Sequence, residues 1–251
     1  MTKPSANLMR TIGFSTGALA LGDFDRGLQL LSGSYAKAVE LSALRELELP
    51  TLMAALGRLD LSNYEYISVH APSRLRTMKE QDAADYLRPC IERGWSVILH
   101  PDAIVDYGCW RDFGKLLCIE NMDKRKAVGR TANELRQHFH ELPDASMCLD
   151  LAHARQIDPT FGIAREIIAE YGERIVQLHL SDLDVMSHHD PLSMSVVWAV
   201  REIAHLLPQC PVILESMVKP TASAIADELR IAAECFPADT KRQPSPLYSA
   251  A

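Results

Sequence analysis

Seven acidic or histidine side chains recur at one place in this chain. Glu40, His70, His100, Glu120, Asp150, His179 and Glu215 each stand in or just after the closing residues of a short apolar run. His153 follows Asp150 by three residues, Asp182 follows His179 by three, and a turn, "SHHDP" (187–191), adds His188, His189 and Asp190. Taken singly, each has an ordinary reading. Asp150 or Asp182 is equally a helix cap, and one histidine at a strand end is often a hydrogen-bonded structural residue. Taken together they pose an electrostatic problem, because a buried, unpaired charge is expensive. A divalent cation removes that cost. Imidazole and carboxylate converging on one axis are ligands for Zn²⁺, Mn²⁺, Mg²⁺ or Co²⁺.

The elements that would bring these residues together are legible. The runs are "TIGFST" (11–16), "AVELS" (38–42), "YISVHA" (66–71), "SVILHP" (96–101), "LLCIEN" (116–121), "SMCLDL" (146–151), "IVQLHLS" (175–181) and "PVILES" (211–216). Most are continuously apolar until their last residues, which marks parallel strands buried on both faces. Helical segments alternate with them. "TANELRQHFHEL" (131–142) opens with a capping box, Thr131 and Glu134. "PTFGIAREIIAEYGER" (159–174) is expected to start at its proline and to align Ile163, Ile167 and Tyr171. Segments 193–207 and 221–236 behave alike. Segment 82–94 is expected to kink or break at Pro89, and 102–115 has room for only a turn or two of helix.

Eight β-then-α units in 251 residues describe a single-domain (β/α)8 TIM barrel. The expected barrel covers residues 1–237, with 238–251 a flexible C-terminal tail. A doubly wound sheet is the second choice, since the Gly-rich first turn of that fold is missing. Active sites of (β/α)8 barrels lie at the C-terminal ends of the strands, where the chemistry-bearing residues fall.

Composition narrows the function. Apolar residues make up 47% and charged residues 24%, an ordinary globular balance. A net charge of −7 argues against a nucleic-acid grip without excluding one. Six cysteines include no C-x-x-C pair, so a reduced, cytoplasmic protein is expected. "TIGFSTGALALG" is too short and too Gly- and Ser-diluted for a signal peptide, and is read as the first strand. No run reaches the ~20 apolar residues of a membrane span. A homo-oligomer stays open.

The motifs "HAP" (70–72), "HP" (100–101), "IEN" (119–121), "CLDLAHA" (148–154), "LHLSD" (178–182) and "LES" (214–216) resemble the xylose isomerase-like barrel superfamily. That group includes sugar-phosphate isomerases and epimerases and the apurinic endonuclease IV family. The resemblance covers the third to eighth strands well and the first two loosely. It implies a four-ligand metal site of Glu120, Asp150, His179 and Glu215. In the isomerases the glutamates matching Glu120 and Glu215 also serve as an acid/base pair. The endonuclease pattern implies more: His70 and His100 as second-metal ligands with Glu120 bridging, and His153 and His189 as third-metal ligands. The aspartate that should accompany them is Ser187 here, with Asp184 or Asp190 as substitutes. The Gly-rich segment expected after this turn is replaced by "DPLSMS".

Three functions follow. The first is a metal-dependent isomerase or epimerase of a small carbohydrate, with one ion and with His153 contacting substrate; acidity and short loops favour it. The second is a phosphodiesterase or phosphoesterase resembling endonuclease IV, with two or three ions. The cation clusters "SRLR" (73–76) and "DKRK" (123–126) support a phosphate-bearing substrate, or else are solvated loop charges. The third is a non-catalytic metal-binding barrel.

Overall fold

All eight apolar runs are strands in the computed structural model, which describes residues 10–237. The expected tail lies outside the described residues. The first seven strands are β1 (Ile12–Ser15), β2 (Ala38–Ser42), β3 (Tyr66–His70), β4 (Ser96–Leu99), β5 (Leu117–Glu120), β6 (Ser146–Asp150) and β7 (Ile175–Leu180). A two-stranded antiparallel ribbon, β8 (Asp182–Leu183) and β9 (His189–Asp190), precedes the eighth barrel strand, β10 (Val212–Leu214). Each barrel strand pairs in parallel with the next, and β10 closes on β1. This is a single-domain (β/α)8 barrel.

Alternation along the strands separates two interiors. Val39, Leu41, Val69, Val97, Leu99, Leu117, Ile119, Leu149, Leu178 and Leu214 join the large apolar cluster between sheet and helices. The alternate positions, among them Glu40, Ser68, Ile98, Cys118, Cys148 and Gln177, fill the barrel. Ile98, Cys118 and Cys148 form a small apolar cluster of their own there. Two residues further along, five of these inward rows end in an ionisable group, His70, His100, Glu120, Asp150 and His179, while the row through Glu40 ends in Ser42. The register slips between Met147 and Cys148, which sets Cys148 against Gln177 and Asp150 against His179. Barrel closure leaves no room at Gly13, where a Cβ would lie 1.6 Å from the Ala38 carbonyl oxygen.

The outer layer is α1 (Thr16–Ala20), α2 (Phe24–Leu31), α3 (Leu49–Ala55), α4 (Glu80–Glu92), α5 (Ala132–Glu141), α6 (Leu151–Ile157), α7 (Gly162–Tyr171), α8 (Met194–Ile203) and α9 (Ala222–Glu234). The β4–β5 connection has only 3₁₀ turns. Three local expectations are corrected. α4 is not broken at Pro89 but continues through it to Glu92; the carbonyl that a proline leaves free belongs to Asp85, an exposed residue. α7 begins at Gly162, not Pro159; Phe161 adopts a left-handed φ of 59° and Asp158 takes the N–H groups of Thr160 and Ile163. The capping box is half formed: Thr131 accepts from the Glu134 N–H, but the Glu134 carboxylate accepts from Arg130 instead. All six cysteines are free. No helix among the described residues is long and apolar enough to cross a membrane.

Candidate metal centre

β5 ends in Glu120, and this buried carboxylate is the hub. Its two oxygens face different neighbours. Oε2 lies 3.2 Å from His70 Nε2 and 3.4 Å from His100 Nε2. Oε1 lies 3.5 Å from His179 Nδ1 and 3.2 Å from His153 Nδ1. His179 Nδ1 is in turn 3.6 Å from Glu215 Oε2. Donor atoms of Glu120, Asp150, His179 and Glu215 all fall within 4.8 Å of one another, as do those of His70, His100 and Glu120. Glu40, His70 and Glu215 form a third, overlapping convergence.

These spacings suit an ion. Tetrahedral bonds of about 2.0–2.1 Å put ligand atoms roughly 3.3 Å apart. The hydrogen-bond inventory makes the same point independently. Glu120 Oε1, Asp150 Oδ2 and His179 Nδ1, with Glu40 Oε1 and His100 Nδ1 beside them and Arg155 Nε and Ser216 Oγ elsewhere, are buried with no hydrogen-bond partner among the described residues, where such atoms are normally satisfied. The first three belong to the four-residue set. The residues therefore fit a divalent metal.

The neighbouring side chains fix which atom each ligand presents. The Nδ1–H of His70 donates to the Ala71 carbonyl at 2.7 Å, which leaves Nε2 for the centre. Glu40, fully buried in the layer below, accepts from His179 Nε2 at 3.1 Å and so leaves Nδ1 free. Ser68 and Gln177 donate to the same Glu40 oxygen, and Tyr66 donates to the Gln177 side-chain carbonyl. Asn121 clamps the Asp150 backbone twice, donating to its carbonyl at 2.9 Å and accepting from its N–H at 2.8 Å. Asp150 forms the cap its sequence context allowed and keeps its other oxygen unpartnered among the described residues. Oδ1 caps α6 by accepting the His153 N–H at 2.7 Å, and Oδ2 faces the centre.

Charges are strongly coupled here. Burial pushes the Glu120 carboxyl up, but the imidazoles of His179, His100 and His153 outweigh it and hold it well below the usual range. Burial raises Asp150 to about 6, against the pull of His153 and with the repulsion of Glu215 and Glu120. Burial likewise raises Glu215. His70 reaches about 9 and His153 about 10, because carboxylates overcome the burial that opposes their charge. His189 drops to about 4 through burial and the nearby His153.

The other expected residues fall outside these sets, although His153 Nδ1 borders the hub, 3.3 Å from Asp150 Oδ2. His153 and His189 face each other with ring centroids 5.7 Å apart, and His189 Nδ1 is 3.6 Å from Glu215. Neither belongs to a convergent three-ligand set among the described residues. Ser187 is hydrogen-bonded to Gln156, and Asp184 is occupied by the N–H groups of Met186 and His188. His188 is exposed and paired with Asp184, Asp190 is exposed, and Asp182 pairs with Arg155 at 3.4 Å. Gln177, Ser68 and Asn121 were not anticipated. The signal for the first two was present: each is a polar residue two positions before a strand-end histidine, hence on the same face.

No protein-family model matches the chain, and no curated protein matches it by sequence. Solved structures do resemble it. Endonuclease IV from Thermus thermophilus shares 19% identity with a TM-score of 0.56, covering 88% of this chain and 97% of that one. A xylose isomerase domain containing protein from Salmonella typhimurium shares 15% identity with a TM-score of 0.57, covering 92% and 98%. The 3-keto-D-glucoside 4-epimerase of E. coli shares 12% with a TM-score of 0.55, covering 88% and 98%. Likeness of this kind establishes fold rather than reaction: the chain has the fold of the xylose isomerase-like barrels, to which its strand-end motifs pointed.

Proposed function

We propose that the chain is a divalent-metal hydrolase of a phosphoester, with two metal positions that share Glu120. One observation carries this reading. His70 and His100 both aim Nε2 at one oxygen of Glu120, while its other oxygen faces the four-residue set. Proton transfer between sugar carbons has no use for the first group. Phosphoryl transfer does. Ions held there supply charge stabilisation on the attacking and leaving oxygens. The histidine-rich set suits Zn²⁺, and the carboxylate-rich set suits Mn²⁺, Mg²⁺ or Co²⁺ as well.

The chain's own groups take the remaining roles. Glu215 sits half-buried at the mouth, and the oxygen it does not offer to the centre would take the proton of an attacking water. His153 is pinned through Nδ1 to the Asn121 carbonyl at 2.9 Å, which leaves Nε2 to meet a substrate oxygen. Glu40 and Asn121 orient His179 and Asp150 without touching substrate.

A second reading keeps support of its own. Burial raises the Glu215 carboxyl, while surrounding imidazoles hold Glu120 low. Carboxyls split in this way suit an acid/base pair, as a small-carbohydrate isomerase or epimerase requires. Elemental analysis and turnover separate the two. The hydrolase reading expects two ions per chain, cleavage of bis(p-nitrophenyl) phosphate, and loss of one ion and most turnover in His100→Ala. One ion, with turnover on aldose–ketose pairs that is indifferent to His100→Ala, supports the isomerase and sinks the hydrolase. Glu215→Gln abolishes turnover in either case.

A further inference from the structure

The two cation clusters of the loops meet in space. β3 delivers "SRLR" and β5 delivers "DKRK" to the same end of the barrel, where a groove of about 580 Å³ is lined by Arg74, Arg76, Arg125 and Lys126. Asp102 and Glu80 also line it, and both are engaged. Asp102 holds Lys126 Nζ at 2.6 Å, and Glu80 accepts the Trp110 indole N–H and the backbone N–H groups of Val105 and Asp106. Arg125 is paired with Asp123. The guanidiniums of Arg74 and Arg76 are exposed and have no side-chain partner among the described residues.

The groove adjoins the metal centre. His100 Nδ1 lies 3.9 Å from Asp102, whose other oxygen binds Lys126. Its walls are fixed. The Glu46 carboxylate collects the backbone N–H groups of Arg76, Thr77 and Met78 together with the Thr77 hydroxyl, and Glu80 pins the opposite wall. Two unpaired guanidiniums on a rigid loop match the charge of one phosphate group, and each can bind two of its oxygens in a fork.

We propose that this groove is a phosphate subsite, which holds a second, non-reacting phosphate of a small-molecule substrate while the metal centre holds the reacting end. The role of that second phosphate rests on the hydrolase reading; the anion site itself rests on the groove. A small substrate is favoured over a strand because the free cations match one phosphate and the chain as a whole is at −7.

The test is calorimetric titration of inorganic phosphate into the full chain, stripped of metal by chelation, at low salt. Wild type binds phosphate. The Arg74→Ala/Arg76→Ala double variant binds at least tenfold more weakly with the same unfolding curve, and the double Lys variant falls between, since lysine keeps charge but loses the fork. Phosphate binding unchanged in the double Ala variant overturns the subsite, as does no binding to wild type. Both proteins are also titrated with Zn²⁺ and Mn²⁺. Equal metal uptake assigns any phosphate defect to the groove; no uptake by either, with the phosphate defect intact, overturns the hydrolase reading alone. Competition then identifies the source. A sugar bisphosphate that displaces phosphate at least as well as a 5′-phosphorylated single-stranded oligonucleotide supports a small substrate. A tenfold preference for the oligonucleotide, falling steeply with salt, overturns it.

Discussion

Two demands meet on the side chain of Asp150, one oxygen capping α6 and the other turned to the centre. Substitution separates them. Asp150→Asn keeps an oxygen for the His153 N–H, so metal-free stability holds while metal affinity falls. Asp150→Ala loses the cap as well and costs about 1 kcal/mol more. Urea unfolding of the metal-free proteins, paired with metal titration, reads both effects; equal destabilisation by Asn and Ala removes the cap from the account. Glu40 is the complementary case, a carboxylate whose Oε2 holds His179 from the side away from the centre. Glu40→Gln is expected to weaken metal binding by about 10- to 100-fold and to make the His179 ring of the metal-free protein lose its proton at lower pH, visible in ¹⁵N NMR; an unchanged titration counts against a positioning role. The ring of strand-end groups was legible in sequence because type and position sufficed. The Glu40 role was not, since Glu40 lies two residues before the end of β2 and its link to His179 spans 139 residues and several strands. The convergence of His70 and His100 on Glu120 was implied by the resemblance to endonuclease IV, and the geometry brings the three together on one oxygen; Ser187, standing where that pattern has an aspartate, together with acidity and short loops, had weighed toward an isomerase.

Strands and helices were the more readable level, because continuous apolarity needs no knowledge of neighbours. All eight strands fell where the runs placed them, and α5, α8 and α9 followed their caps and periodicity. Failures came where a tertiary group overrode a local signal, as Asp158 moved the start of α7, and at Pro89, through which α4 continues. The loop after β3 depends on a similar distant group, since Glu46 ties down residues 76–78. The Thr77 hydroxyl, followed by the backbone N–H groups of Arg76, Thr77 and Met78, draws the Glu46 carboxyl down to about 2. A depressed carboxyl stabilises fully above its unfolded value near 4.3 and loses that contribution as pH falls toward 2. The loop is therefore expected to open to amide exchange between about pH 4 and pH 2, ahead of the barrel, and in Glu46→Ala to be open already at neutral pH. Loop protection that stays the same in Glu46→Ala would detach the loop from that carboxylate.

At the scale of the whole molecule, the barrel holds a proton store where an ion would sit. With His70 at about 9 and His153 at about 10 in the metal-free protein, both rings carry protons at neutral pH. Raised histidines contribute stability that is fully present below their unfolded value near 6.5 and is lost as pH rises through 9 to 10. Ligation runs the other way, because a metal must displace the proton from the His70 nitrogen that would bind it. Metal affinity therefore rises with pH over the range in which metal-free stability declines. An ion at 100 times its dissociation constant adds about 2.7 kcal/mol, or on the order of 5–10 °C in Tm for a chain of this size. The shift on adding Zn²⁺ or Mn²⁺ should be larger at pH 8 than at pH 6, should vanish with chelator, and should be accompanied by proton release seen as buffer-dependent heat in calorimetry. A shift equal at both pH values, with no proton released, would mean that the ion binds away from His70 and that the cluster holds its charges by mutual pairing alone.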